Sequence, residues 1–207
     1  MNTTTLAETI AMLIYESGDT EVMETILFFV RHAESAFVEG KERTRGLSIK
    51  GQNDAKAIKE VLRYEDIDVF ISSPYERAIE TIRPTAINYQ NDIQVEEDLR
   101  ERTIGDFTPA TFAMAKYRVY EDIQLAFPDG ESSEVAQQRA SSVILRILDI
   151  HKGKKIVIGT HGDIMTLILN YFDKQYEYTF WQSTSMPDIY KVRFKGSELI
   201  EVIRLWE

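Results

Sequence analysis

The sequence predicts a layered α/β domain, a mostly parallel central sheet with helices on both faces, and three observations carry that prediction. Short apolar runs alternate with longer amphipathic segments along most of the chain. Three of the runs, "TILFFV" (25–30), "DVFISS" (68–73) and "KKIVIGT" (154–160), are nearly continuous in apolar and β-branched residues, as strands buried on both faces are. Helical patterns separate them, and a strand, helix, strand rhythm of this kind builds a sheet whose two faces are both covered.

The elements follow in order. Residues 1–22 carry Leu6, Ile10, Leu13 and Ile14 at helical spacing and then break at "ESGDT", which reads either as an amphipathic helix or as a disordered leader. Met23, just before the first strong strand, offers an alternative start, and the domain proper is expected over residues 23–207. "TILFFV" is the first strand, Gly51–Arg63 a helix, and "DVFISS" the second strand. Pro74–Tyr89 reads as a helix with Pro in its first turn, where the missing N–H is harmless. "DIQVEEDL" is a short strand, Thr103–Phe127 a polar, aromatic-rich stretch without strand character, and Glu131–His151 a long helix. "KKIVIGT" is a strand and Ile164–Phe172 a helix. "DIYKVRF" and "ELIEVIRLW", joined across Lys195–Gly196–Ser197, form an antiparallel hairpin.

Composition narrows the function. A hydrophobic share of 43% with 28% charged residues is that of a globular chain, and a net charge of −10 without a basic stripe speaks against nucleic acid. There is no Cys, so disulfides and thiolate chemistry are excluded. The first basic residue is Arg31, and the run Ile10–Tyr15 is too short to span a bilayer, so no secretory signal or membrane anchor is expected and cytoplasm is the default location.

The informative residues stand at strand ends, outside which ligands bind in such sheets. Arg31 and His32 follow the first strand, "SSPYERA" with Arg77 the second, and "THGD" with His161 a later one. Taken singly, Arg31 reads as a surface ion pair, Arg77 as a solvated helix residue, and each His as a hydrogen-bonded structural residue. Jointly they do not, because the chain has only three His and two of them follow strands in this way. The third, His151, is better placed as a helix C-terminal residue. Two guanidiniums, two imidazoles and two helix N-termini suit a tetrahedral oxyanion such as phosphate. A neutral imidazole facing that phosphorus can attack it and form a phosphohistidine, provided a carboxylic acid protonates the leaving alkoxide. Glu101 is the first candidate for that acid. Asp163 competes, but after His161–Gly162 it reads as a first-turn helix acid. Glu34 is close enough to orient the His32 ring or to touch substrate. The two His are far apart in sequence, with Arg beside one of them, so no metal site and no cofactor is expected.

These residues resemble those of the histidine phosphatase superfamily, in its phosphoglycerate-mutase-like branch. "VRHAES" is similar to the Arg-His-Gly-Glu motif, "RGLSIKGQNDA" to the Leu-Thr-x-x-Gly segment, and "ISSPYERAIETIRPTA" to Ser-Ser-Pro-x-x-Arg-Ala-x-x-Thr. "LRERTIGDF" resembles the general-acid segment, "FPDGESSEV" a Pro-x-Gly-Glu-Ser helix start, and "VIGTHGDIM" the second-histidine motif. The resemblance implies a phosphoglycerate-mutase-like α/β sandwich with a lid at about 103–127 and metal-free catalysis. It implies His32 as nucleophile, Glu101 as proton donor, and a phosphate pocket of Arg31, Arg77, His161 and Gly162. Two departures stand out: Ala33 where the motif has Gly, and Val38 where many members have Asn, for which Ser35 or Arg45 could compensate.

The same pocket could run hydrolysis or mutase transfer, or serve a non-catalytic phosphate-binding protein. The short stretch between Glu101 and Pro128 leaves no room for a large enclosing insertion, which favours a phosphatase. Retention of both His, both Arg and Glu101 disfavours the binder. The aromatics Phe107, Phe112, Tyr117, Tyr120 and Phe127, with only Lys116 and Arg118 among them, either pack the lid or face a small, partly apolar phosphorylated substrate. The final hairpin could leave an edge for a homodimer or stay a protected edge of a monomer.

Overall fold

The computed structural model describes residues 23–207, so the expectation for 1–22 lies outside it. Six strands form one sheet in the order β3-β2-β4-β1-β5-β6. They are β1 (Glu24–Arg31), β2 (Val69–Ser72), β3 (Ile93–Val95), β4 (Lys155–Thr160), β5 (Asp188–Lys195) and β6 (Glu198–Arg204). The first four are parallel to one another, and β5 and β6 close one edge antiparallel as the expected hairpin.

Side chains alternate across each strand, and this splits the core in two. Leu27, Phe29, Ile71, Ile156 and Ile158 face one side with α4 (Ser133–Ile150) and α5 (Gly162–Phe172). Phe28, Val30, Phe70 and Val157 face the other with α1 (Ile49–Val61) and α2 (Glu76–Asn88). Helices α1 and α2 thus cover one face and α4 and α5 the other, giving three layers. Ser48 caps α1 by accepting the Gly51 amide, and Ser132 caps α4 by accepting that of Val135.

Two local expectations need correction, and two helices add to those read from the sequence. The second helix starts at Glu76, so Pro74 precedes it by two residues and Tyr75, in extended conformation, is the N-terminal flank; the proline inside the helix is Pro84. The third strand stops at Val95 and gives way to a single 3-10 turn at Glu97–Leu99. Thr103–Phe127 is a loop followed by α3 (Pro109–Glu121), and α6 (Tyr178–Ser183) was not anticipated. Both helices bury little of themselves, so neither shows a strong apolar stripe in sequence.

Register is what places the site. Arg31 lies opposite Thr160, and Ser72 opposite Gly159, so β1, β2 and β4 end together. The amides of His32 and Ser73 extend that ladder, donating to Thr160 and Gly159 at 2.9 and 2.8 Å. Gly159 itself is required by a close approach: a Cβ there would stand 2.8 Å from Ser72 Oγ and 3.0 Å from the Ala78 carbonyl of α2. Among the described residues no helix is long and apolar enough to cross a membrane.

Candidate active site

A cavity of about 730 Å³ opens at these strand ends. His32, one residue past β1, is buried at its floor. Its Nδ1 lies 2.8 Å from the Ala33 carbonyl, which can only accept, and its Nε2 lies 3.2 Å from Arg77 Nε, which can only donate. Both partners therefore select the neutral tautomer with the proton on Nδ1 and a lone pair on Nε2. Burial, reinforced by the Arg77 charge, pushes this imidazole down to about 3. The Ala33 amide donates to Thr81 Oγ1 at 2.9 Å, and that hydroxyl donates to the Arg77 carbonyl at 2.7 Å, so the backbone after His32 is tied to the helix that carries Arg77.

Arg77 is buried with its guanidinium 4.7 Å from the Tyr75 ring centroid. Its Nη1 donates to the Glu42 carbonyl at 2.7 Å and lies 3.3 Å from the Glu42 carboxylate. Arg31 reaches across to α6, donating from Nη1 to Thr184 Oγ1 at 2.6 Å and to its carbonyl at 3.1 Å, while its buried Nε has no partner. Gly162 permits this: a Cβ there would stand 2.8 Å from both Cζ and Nε of Arg31.

His161 is fully buried behind His32, with the ring centroids 5.2 Å apart. Its Nε2 meets Ser73 Oγ at 2.7 Å, and its Nδ1 has no partner. Burial holds it neutral, followed in effect by His32 and Arg77. Glu101, half-buried, sits at the N-terminus of α5, accepting from the Arg102 amide at 2.9 Å and that of Ile164 at 3.3 Å. Burial and then the nearby Asp163 carboxylate raise its carboxyl above the usual range, which favours the protonated form.

Asp163 is the first-turn acid that the sequence suggested, and more. Buried, it accepts from Arg102 Nε at 2.8 Å, Arg102 Nη2 at 3.2 Å, Tyr120 Oη at 2.6 Å and the Lys116 ammonium. Lys116 and then Arg102 hold its carboxyl well below the usual carboxylate range, outweighing burial. Lys116 and Tyr120 come from α3, so this cluster fastens the 103–127 segment to the body of the domain.

Of the other sequence candidates, Ser35 and Arg45 both line the cavity and bond to each other, and Arg45 also pairs with Glu42. Glu34 does not line it: its carboxylate accepts from Ser48 Oγ at 2.7 Å and so supports the start of α1 rather than the His32 ring. The Ala33 methyl is buried against Leu47 and Ala55, outside the cavity, which is why Gly is dispensable there. Glu42, Arg102 and Thr184 were missed, and Thr81 figured only as the last residue of the Ser-Ser-Pro-x-x-Arg-Ala-x-x-Thr pattern, without a role; it lies four residues after Arg77 and hence on the same helix face. Among the described residues no group of three or more His, Asp and Glu gathers as metal ligands would.

The family model described as "Histidine phosphatase superfamily (branch 1)" matches residues 27–202. The chain belongs to that superfamily. A curated relative, "Phosphoglycerate mutase-like protein 4" of Arabidopsis thaliana, is 28% identical over 167 residues, spanning 73% of this chain and 71% of its own. Among solved structures, a mycobacterial glucosyl-3-phosphoglycerate phosphatase superposes with TM-score 0.71 at 20% identity, covering 87% of this chain and 97% of that one. An Entamoeba histolytica phosphoserine phosphatase mutant in complex with phosphoserine gives 0.70 at 18%, covering 85% and 94%. A putative α-ribazole-5′-phosphate phosphatase of Escherichia coli gives 0.68 at 18%, covering 87% and 96%. At these identities the superpositions establish a shared histidine phosphatase fold.

Proposed function

We propose that this histidine phosphatase superfamily member is a metal-independent phosphomonoesterase that works through a phosphohistidine on His32. The observation that carries the reading is the His32 imidazole, neutral, with its proton fixed on Nδ1 and its Nε2 lone pair turned toward Arg77 in a cavity that also holds Glu101. Phosphate binds by displacing the Arg77 contact, with Arg31, Arg45 and Arg77 taking its oxygens. Nε2 then forms a bond to phosphorus as the ester P–O bond breaks, and protonated Glu101 gives its proton to the departing alkoxide. In the second half, the Glu101 carboxylate takes a proton from water, the oxygen attacks phosphorus, and the P–N bond breaks to restore neutral His32. His161 does not line the cavity; its ring, 5.2 Å from that of His32 and with Nδ1 unpartnered, backs the phosphoryl site from the interior.

Hydrolysis is favoured over mutase transfer by the brevity of the 103–127 segment, which walls the cavity without enclosing it. A pure binder is disfavoured because it needs no nucleophile and acid together. The deciding experiment is hydrolysis of p-nitrophenyl phosphate with EDTA present, with rapid alkaline quenching and mass spectrometry of the His32 peptide. Turnover by the wild type, a phosphorylated His32 and a dead His32→Ala support the reading. Isomerisation of 3-phosphoglycerate with a bisphosphate primer and no net hydrolysis would point to the mutase instead.

A further inference from the structure

We infer that the substrate is a phosphomonoester of an apolar, most suitably aromatic, alcohol that carries no second anionic group. This rests on the phosphatase reading above and names what occupies the rest of the same cavity. Five cationic side chains line that cavity: Arg31, Arg45, Arg77, Arg102 and Lys116. The first three surround His32 and serve the phosphoryl group. A second anion, whether a carboxylate or another phosphate, would have to be met by Arg102 or Lys116, and both are already committed. Arg102 is buried, with Nε and Nη2 on Asp163 and Nη1 on Ser133 Oγ at 2.5 Å. Lys116, only 4% exposed, pairs with the same Asp163 carboxylate and lies 5.2 Å over the Trp181 ring. Releasing either cation would strip a charge partner from the buried Asp163 carboxylate, which is unfavourable. Arg118, the other cation of α3, does not line the cavity and lies over the Phe127 ring at 5.6 Å.

The remaining wall has the opposite character. Phe37, Phe112, Trp181 and Met186 line the cavity and belong to none of the hydrophobic clusters of the described residues. Phe37 is 76% exposed and Phe112 39%. By contrast, Phe107 and Phe127 pack edge to face at 4.9 Å against Ile104, Ala115 and Val119, where they hold the segment together. Phe107 and Phe127 thus serve packing, whereas Phe112, with Lys116 6.0 Å from its ring, and Trp181, stacked on Tyr178 at 5.6 Å, also line the cavity that holds His32. Asp106, which lines the same cavity as these side chains, repels an anion. An apolar leaving group gains contact area here.

Steady-state kinetics on two phenyl phosphates of matched leaving-group acidity, one bearing a ring carboxylate and one a ring carboxamide, test this directly. Alongside them, the Ki of inorganic phosphate is measured in the wild type, Phe112→Ala, Phe112→Leu and Trp181→Ala. The carboxamide is expected to be preferred in kcat/KM by about tenfold or more. Phe112→Ala and Trp181→Ala are expected to raise KM for the aryl ester about tenfold with the phosphate Ki unchanged, and Phe112→Leu to restore most of it. Equal or better turnover of the carboxylate, with His32 still required, overturns the inference and leaves the phosphatase reading standing. So does an equal loss of phosphate affinity in both alanine variants, since that marks a structural role. Absence of His32-dependent turnover on either ester defeats both.

Discussion

The proposed mechanism requires His32 to be neutral when it attacks phosphorus, and that neutrality can be read as stability. Its imidazole, near 6.5 in an unfolded chain, is pushed down to about 3 in the folded one by burial and by Arg77. Below pH 6.5 the unfolded chain takes up a proton that the folded protein refuses, so stability falls as pH falls, and it does so until the folded pKa is reached. Integrated from pH 7.5 to pH 5.5, that single group removes about 1.4 kcal/mol of unfolding free energy. Replacing it isolates the effect, because the variant lacks only that proton. Urea unfolding at the two pH values, followed by tryptophan fluorescence, should therefore show His32→Gln losing about 1.4 kcal/mol less than the wild type on acidification. His161 is buried and held neutral for the same reason, so His161→Gln should lose less in the same direction. Identical losses in wild type and His32→Gln would mean that the folded imidazole accepts the proton. Its Nε2 would then be occupied and the nucleophile assignment would fail.

Three further outcomes follow from the geometry. Glu101, its carboxyl raised by burial and by Asp163, donates as an acid, so kcat should fall on the alkaline side as it ionises; Glu101→Gln should abolish that limb and lower kcat about 10²- to 10⁴-fold on an alkyl ester, with a smaller loss on p-nitrophenyl phosphate, whose leaving group needs no proton. Gly162→Ala puts a methyl 2.8 Å from the Arg31 guanidinium, and steady-state kinetics should show KM for phosphate esters rising about tenfold, as expected for loss of one charge-assisted contact. Glu42 holds the Arg77 and Arg45 guanidiniums with a half-exposed carboxylate that a phosphate must displace, so Glu42→Gln should lower the Ki of inorganic phosphate about fivefold; a weaker Ki would show that Glu42 orients the arginines instead.

How much of this was legible in the chain depends on the range of the forces involved. The strands "TILFFV" and "KKIVIGT" were readable because each is buried on both faces and so apolar throughout. The helices flanking the sheet were readable from their stripes. By contrast α3 and α6 bury few side chains, and their stabilising contacts reach distant partners: Lys116 to Asp163, and Thr184 to Arg31. No local periodicity encodes such contacts. Where the Ala33 methyl packs could not be read locally, because its neighbours in space, Leu47 and Ala55, are remote in sequence.

The sequence by itself determined the layered α/β class, the strand ends at which Arg31, His32, Arg77 and His161 stand, and the residue types available for phosphoryl chemistry, since these rest on periodicity and on chemistry carried by single residues. Only the tertiary structure decided which tautomer His32 adopts, that Glu34 serves Ser48, that Glu42 pairs with Arg45 and Arg77, and that Asp163 pairs with both Arg102 and Lys116. The physical reason is that a side chain's type fixes what it can do, while its protonation and its free valences are fixed by the burial and charges around it, which only folding brings together.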